Sequence, residues 1–261
     1  MLKKRVLILV LMAAMLVPAS SEAVTWTKIK RAVEESPSGE MQSDNTAIRW
    51  DEDSMVVTGG VIEDKIEIDQ WSTNMAVDRN YVFSNIIIEG GMKIVGRNEN
   101  RISVLFGKDA IIRCADEAYA FLHGIDVFAY EDSKVIFTNN GTIVNDIRLS
   151  TRDNGQIVFD NAGAITGCES NALLLYGDEI EQITVTNSGI LRYCPENDDA
   201  DSWKKPVLAY TIRKGEYTPE EVLKGKMAWE MKDFEEARKM YGLYGIPDDQ
   251  ISIYPAKKEK E

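Results

Sequence analysis

The sequence has little histidine, little cysteine and a shortage of positive charge. A single histidine excludes a metal site built from several histidines, and the three cysteines include no C-x-x-C spacing of the zinc-binding type. Lysine and arginine number 30 against 43 aspartates and glutamates, for a formal net charge of −13. This excludes a general nucleic-acid-binding protein, which needs a surplus of cations to neutralise phosphates. Hydrophobic residues still make up 44% of the chain, too many for global disorder.

Long apolar runs are also scarce. The one at residues 6–17 follows three basic residues and precedes small residues that include Ser21 and Ala23. This arrangement is typical of a secretory signal peptide over residues 1–23, cleaved after Ala23. Because a membrane helix needs about 20 apolar residues, we expect no transmembrane segment in the mature chain. We expect the mature protein to be exported, to the periplasm, the cell surface or the extracellular space.

Three stretches, at 135–143, 157–165 and 183–191, repeat one pattern without gaps. Apolar and polar residues alternate as in a β-strand, and an Asn-x-Gly then turns the chain toward a second short strand. Offsets of 22 and 26 residues predict rungs of a parallel β-solenoid. The amides that share one position would then stack about 4.8 Å apart in an inward ladder. These amides belong to Asn139, Asn161 and Asn187.

Two further copies of the pattern are weaker. The stretch 104–112 keeps the apolar frame in a gapless alignment, with Lys108 at the Asn position and Ala110 at the Gly position. The stretch 86–94 keeps less of it. Both copies predict that the rungs extend toward the N-terminus.

The cysteines follow the same repeat. Cys168 and Cys194 each lie seven residues after a ladder asparagine, at equivalent positions of consecutive rungs. Neighbouring rungs are close enough for a disulfide, and export makes one chemically possible. Two stacked, buried thiols are the alternative.

The residues before the repeats predict a cap. Trp26, Ile29, Ala32 and Val33 form one face of a helix, so 24–45 is interpreted as a capping helix and loop. A helix of this kind followed by a β-helix over 46–194 resembles right-handed parallel β-helix proteins of the pectin-lyase-like superfamily, in particular short secreted or surface-attached bacterial members. The resemblance implies the handedness. No catalytic signature of a named family matches, so no active residue is carried over.

Residues 195–261 differ in composition from the repeats. An acidic loop at 195–202 precedes a possible last strand at 206–213. A capping box at 218–221 begins a helix that reaches at least 223. Gly225 is a candidate break, 227–241 continues as a helix, and 251–254 is a candidate final strand. This pattern predicts an α-helical C-terminal cap; the alternative is a module that docks a protein partner. The predicted fold class is therefore all-β, a single-stranded parallel β-helix with an N-terminal capping helix and a C-terminal helical segment.

The repeat alignment also places acids in one column. Glu131, Asp153 and Glu179 would repel one another unless a cation such as calcium lay between them. The resemblance implies a lyase arrangement, in which calcium-binding acids accompany an Arg or Lys base; Arg148 and Arg152 are the candidates for that base. Ordinary solvated acids in a turn are the alternative.

Several aromatic residues could form platforms for sugar rings on the outer surface. They are Tyr130, Tyr176, Tyr193 and Trp203. A repeating polar grid suits a repeating ligand such as a glycan, and it equally suits plain solvation.

Three functions follow from these patterns. We favour an exported, non-catalytic β-solenoid that binds glycan or cell-envelope surfaces or acts in adhesion, because no catalytic constellation is present. A calcium-dependent polysaccharide lyase or hydrolase is the first alternative. A structural or assembly subunit that docks a partner through the C-terminal helix is the second. We expect no cofactor other than possible calcium, and no nucleic-acid partner.

Overall fold

The computed structural model describes residues 24–43, 45–69, 78–113, 124–167, 172–179, 182–193, 208–212, 243–246 and 251–254. In these ranges the chain is mostly β-strand, with one helix, α1 (Trp26–Glu35). The strands form three sheets, which we name A, B and C. No helix in the described part of the chain is both long and apolar enough to cross a membrane.

Sheet A has nine strands, which follow one another in space in chain order. They are β1 (Gly39–Ser43), β2 (Thr46–Trp50), β3 (Ser54–Thr58), β6 (Asn80–Ser84), β9 (Arg101–Phe106), β12 (Lys134–Asn139), β15 (Gln156–Asn161), β18 (Ile183–Asn187) and β21 (Leu243–Tyr244).

Sheets B and C are built in the same order. Sheet B contains β4 (Val61–Ile62), β7 (Ile87–Ile88), β10 (Ile111–Arg113), β13 (Thr142–Val144), β16 (Ala164–Gly167) and β19 (Ile190–Tyr193). Sheet C contains β5 (Ile66–Asp69), β8 (Met92–Gly96), β11 (Ile125–Ala129), β14 (Ile147–Thr151), β17 (Leu173–Gly177), β20 (Leu208–Ile212) and β22 (Ile251–Tyr254).

From β3 to β20 the chain enters sheets A, B and C in that order six times. Each return to a sheet adds a strand parallel to the previous one, as in β12 beside β9 or β14 beside β11. A parallel neighbour needs a crossover connection, and here the other two sheets supply it. The described residues are thus mostly β with parallel sheets, as the sequence predicted.

The two ends differ from the predicted boundaries. Sheet A is mixed, because β2 pairs antiparallel with both β1 and β3. Parallel pairing therefore begins at β3 and not at residue 46, and Gly39–Ser43 is a strand where we expected a loop. Beyond residue 194 parallel pairing continues through β20, β21 and β22. Of these, β20 and β22 lie where strands were expected, whereas β21 was not anticipated.

Alternation along each strand sends every second side chain into one shared core. In β12 the buried residues are Val135, Phe137 and Asn139, with half-buried residues between them. The register of the parallel strands then places similar side chains side by side, and the ring centroids of Phe137 and Phe159 lie 5.3 Å apart. Burial of these rings is a large apolar contribution to stability, about 1.5–3 kcal/mol for a side chain of this size.

Helix α1 packs against the first strands of the sheets. Thr25 is its N-cap and accepts a hydrogen bond from the Lys28 amide. Trp26, Ile29 and Val33 are buried in the same core cluster as the strands. The Trp26 indole also donates to the Glu67 carbonyl at 3.0 Å, so the helix is joined to sheet C by a polar contact as well.

The three repeat asparagines are hydrogen-bonded to one another; Asn139 and Asn161 are buried, and Asn187 is half-buried. Asn139 Nδ2 donates to Asn161 Oδ1 at 2.7 Å, and Asn161 Nδ2 donates to Asn187 Oδ1 at 2.7 Å. Asn187 Nδ2 then donates to the carbonyl oxygen of Gly245, just after β21, at 3.1 Å. At the other end, Asn139 Oδ1 accepts from the Gly141 amide at 3.0 Å. The buried amides therefore have partners along the whole row.

The gapless alignment of the weaker copies was wrong. Asn139 pairs with Phe106 and not with Lys108, although Ile143 pairs with Ile112 as aligned. Four residues connect β9 to β10, whereas two connect β12 to β13, so the register differs on the two sides of this corner. In the copy at 86–94, the gapless alignment sets Ile94 opposite Ile112. In the structure Ile112 pairs with Ile88 in sheet B, so this alignment is wrong as well.

Candidate functional site

The outer face of sheet C collects several of the residues singled out in the sequence. Strand register places Asp126 beside Arg148 on the outer face, with Phe128 beside Ser150 in the neighbouring column. Tyr176 follows Ser150 in that second column. Tyr130 comes directly after β11. Arg148, Tyr130 and Tyr176, which are far apart in the sequence, therefore belong to one side of the molecule.

Arg148 is held by a buried carboxylate. Its Nε lies 2.8 Å from Asp126 Oδ1, and the Asp126 side chain is only 5% exposed. A charge buried to this extent requires a partner, and the guanidinium supplies it. The Arg148 side chain itself is 34% exposed, so part of its planar group reaches solvent.

Two stacked aromatic rings lie between two cations on this face. The Arg148 Cζ lies 5.1 Å from the centroid of the Phe128 ring, and the Phe128 and Tyr130 rings stack at 5.9 Å with 16° between their planes. Arg97 Cζ lies 4.8 Å from the centroid of the Tyr130 ring. We call Arg148, Phe128, Tyr130 and Arg97 the cation–ring row. Contacts of a cation over a ring are each worth about 0.5–2 kcal/mol.

The neighbours of Tyr130 in the row limit how a ligand could contact its ring. Phe128 stacks against one face of its ring, and Arg97 lies over the ring as well. Arg97 Nε also forms an ion pair with Asp69 Oδ1, at 3.9 Å. A sugar ring could stack flat on Tyr130 only by displacing one of these neighbours. The exposed guanidinium N–H groups of the row suit hydrogen bonding to hydroxyl or carboxyl oxygens, and the ring edges offer apolar contact.

Next to this face, the connections from sheet C to sheet A form a stack of tight turns. Three consecutive turns are closed by backbone bonds from residue i+3 to residue i, at 2.9–3.1 Å. Both central residues have positive φ in each turn, as type I′ turns require. The central pairs are Asn98–Glu99, Glu131–Asp132 and Asp153–Asn154. Arg152 begins the third turn and is exposed.

The predicted acidic column lies mainly in these turns. Glu131 and Asp153 are the first central residues of consecutive turns, and both are exposed. Glu179 lies in a corner closed differently, in which Gln182 Oε1 accepts from the amides of Asp178 and Glu179. Across the described ranges, no group of three or more His, Cys, Asp or Glu residues is arranged to hold a metal ion.

The remaining candidates fall elsewhere. Tyr193 ends β19 in sheet B, and its side chain lies outside the part of the structure that is described. Cys168, Cys194 and Trp203 lie outside the described residues altogether, as do the predicted signal peptide and the predicted C-terminal helix.

Sequence reasoning missed Asp126, Phe128 and Arg97. The pattern Asp126-x-Phe128-x-Tyr130 does alternate along β11 and places all three side chains on one side of the strand. Recognising them as part of a site also requires the pairing of Arg148 with Asp126, which lies one strand and 22 residues away. The 22-residue offset of the repeat places the two positions side by side, but nothing in the sequence marks their charges as a buried pair.

No protein family, no curated protein and no solved structure matches this chain.

Proposed function

We propose that sheets A, B and C are the three faces of one right-handed parallel β-helix of the pectin-lyase-like kind. The repeated entry of the chain into A, B and C in that order supports this fold. Burial of Trp26, Ile29 and Val33 in the shared core supports α1 as its N-terminal cap. A cap at the other end would come from the C-terminal helical segment.

On this scaffold we propose an exported, non-catalytic protein that binds glycan or cell-envelope surfaces, with a role in adhesion. The observation that carries the proposal is the cation–ring row on the outer face of sheet C. Guanidinium groups offer several donors in one plane, and aromatic edges offer apolar contact for the C–H groups of a sugar. Tyr176, two strands beyond Phe128, extends the same face.

The ion pair favours binding over lyase chemistry for Arg148. A lyase base must be neutral to accept a proton, whereas arginine is a poor base and Arg148 Nε lies 2.8 Å from Asp126 Oδ1 in an ion pair. A charged, fixed guanidinium is suited to holding an oxygen-rich ligand. The lyase or hydrolase alternative would require calcium in the column of Glu131, Asp153 and Glu179. No observation in the described residues favours the assembly-subunit alternative.

Affinity electrophoresis tests this proposal. The chain without residues 1–23 is run in native gels cast with different polysaccharides, with calcium and with EDTA. We expect retardation without clearing of the polysaccharide. Loss of the Arg148 donors through Arg148→Ala should weaken retardation about tenfold or more, the effect of one charge-assisted hydrogen bond.

A matched control is available on sheet B. Arg113 also faces outward and also pairs with a carboxylate, Glu89, at 2.6 Å, with a half-exposed side chain. Arg113→Ala should leave retardation unchanged. Equal weakening by both variants would show a general charge effect and would count against the sheet C site. Clearing of the polysaccharide that EDTA abolishes would replace the proposal with the calcium-dependent enzyme.

A further inference from the structure

The outer face of sheet A is unusually poor in charge for this protein. Alternating burial along β3, β6, β9, β12, β15 and β18 identifies 17 outward residues on these strands. Only three of them are charged: Arg101, Lys134 and Asp160. The other 14 are hydroxyl, amide and aliphatic side chains. The end strands β1, β2 and β21 add Glu40, Gln42, Ala47, Arg49 and Tyr244 to the same face, and the two charges among them cancel. The whole face therefore carries a net charge of +1, on a chain whose formal net charge is −13.

Its centre is apolar. Leu105 is 37% exposed and lies on β9, the fifth of the nine strands. Val82 is its direct neighbour on β6, and Ile136 on β12 lies beside Ser103, two residues along from Leu105. Protein interfaces have this anatomy, with an uncharged, apolar centre and polar groups at the rim.

The face is also large enough to matter. Nine strands spaced about 4.8 Å apart, with most strands five or six residues long, cover roughly 40 Å by 17 Å, or about 700 Å². A standard stable interface removes about 800 Å² from each partner. Sheet B, with strands of two to four residues, offers a much narrower surface.

We infer that two copies of this chain associate through the outer faces of their sheets A. Two bodies of strong like charge repel each other, and the repulsion is smallest where acid is nearly absent from both surfaces. A two-fold symmetric contact brings the same face from each copy, so both sides are charge-poor at once. A cationic partner would instead be drawn to the acidic corners. A glycan is disfavoured here because the 17 outward residues of the six central strands include no aromatic side chain, and Tyr244 lies on the last strand of the sheet.

Sedimentation velocity on the chain without residues 1–23 tests the inference. We expect a species with twice the mass of one chain at micromolar concentration. Added salt should tighten it, because salt screens the remaining repulsion between the acidic bodies. Leu105→Glu places a carboxylate at the centre of the contact on each copy and should raise the dissociation constant at least tenfold. Circular dichroism should stay unchanged, since Leu105 points away from the core.

Ile190→Glu is the matched control. Ile190 is more exposed than Leu105, at 48%, and lies in sheet B. The Ile190→Glu variant should leave the dimer intact. The inference is overturned if the unaltered chain is a monomer at every concentration, if Leu105→Glu still dimerises fully, or if both variants dissociate it equally. A monomeric chain that loses retardation by a neutral polysaccharide through Leu105→Glu would assign this face to a glycan instead.

Discussion

One inward column of sheet A changes its chemistry halfway along the molecule. Strand register places its members in line: Val57, Phe83, Phe106, Asn139, Asn161 and Asn187. The N-terminal half is apolar, and the rings of Phe83 and Phe106 stack with centroids 5.5 Å apart. The C-terminal half is a row of hydrogen-bonded amides. Apart from the half-buried Asn187, both halves are buried, so burial alone does not decide which chemistry a strand uses at this position.

The corners that follow the two halves differ in the same way. After Asn139 only two residues lead to sheet B, and the side chain itself closes the corner by accepting from the Gly141 amide. After Phe106 four residues intervene, and a backbone bond from Ala110 to Gly107 closes the corner. Ring packing is non-directional and tolerates corners of different length. A buried amide requires each donor and acceptor to meet a partner, so it demands one corner geometry.

The largest expected loss of stability comes from placing an asparagine in the aromatic, N-terminal half of the column. Phe106→Asn removes a fully buried ring that contacts Phe83 and Phe137. We expect the free energy of unfolding in urea to fall by about 3–5 kcal/mol, since a hydrogen bond to Asn139 would return only about 1 kcal/mol. Phe106→Leu, which keeps most of the volume, is the control and should cost clearly less. An Asn variant as stable as the unaltered chain would show that the two halves are interchangeable.

Breaking the ladder at its centre comes next. Asn161→Leu leaves Asn139 Nδ2 and Asn187 Oδ1 without their amide partner. We expect a loss of about 2–4 kcal/mol in urea unfolding, because unsatisfied buried polar groups cost about 1–3 kcal/mol each. Asn140→Ala changes a half-buried amide in the neighbouring corner, outside the ladder, and should have little effect. Equal losses from the two variants would contradict a special role for the ladder.

A smaller effect should distinguish the corners themselves. A Cβ on Gly163 would overlap the carbonyl oxygen of Gly141, so the ladder half has no room for a side chain there. Gly163→Ala should therefore cost about 1–3 kcal/mol and lower the melting temperature by several degrees. In the ring half the equivalent position is Ala110, and Ala110→Gly should cost only about 1 kcal/mol or less. Circular dichroism gives the melting temperatures of both variants. A Gly163→Ala variant with the same melting temperature as the unaltered chain would contradict this account.

The smallest effect concerns an exposed corner that a side chain closes. Asp51 Oδ1 accepts from the amides of Ser54 and Asp53, at 2.7 and 2.9 Å, and these bonds hold the pKa of Asp51 below its ordinary value of 3.8. Because the folded pKa is the lower one, the stabilisation is complete above pH 3.8 and is lost as the pH falls through the folded value. Asp51→Ala should lower the melting temperature slightly at pH 7, and the difference should shrink as the pH falls below 3.8. A difference that stays constant with pH would contradict this account.

Prediction from sequence succeeded where the repeat is regular. The Asn-x-Gly corners after β12, β15 and β18 have equal length, so alternation and spacing together predict those strands. It failed at the corner after Phe106, because two extra residues there break any gapless alignment. It also missed the hairpin of β1 and β2, whose antiparallel pairing leaves no trace in the repeat.

The candidate site shows the same division. Tyr130, Tyr176 and Arg148 could be named as surface residues from their polar, outward positions. The contact of Phe128 and Arg97 with the Tyr130 ring depends on two adjacent strands, β8 and β11, and on the turns that follow them, and so could not be named. The buried Asp126 carboxylate gave no signal either, since an acid between apolar neighbours in a strand reads as an ordinary outward residue.

By itself, the amino-acid sequence determined the local features: the alternating strands, the Asn-x-Gly turns and the apolar face of α1. These depend on backbone preferences and side-chain periodicity over a few neighbouring residues. The repeat also predicted the amide ladder. The tertiary structure decided the register outside the regular repeats, the burial of the ion pair between Arg148 and Asp126 and the charge-poor face of sheet A. Lateral pairing joins residues more than 20 positions apart, and the length of each corner sets the register in which they meet.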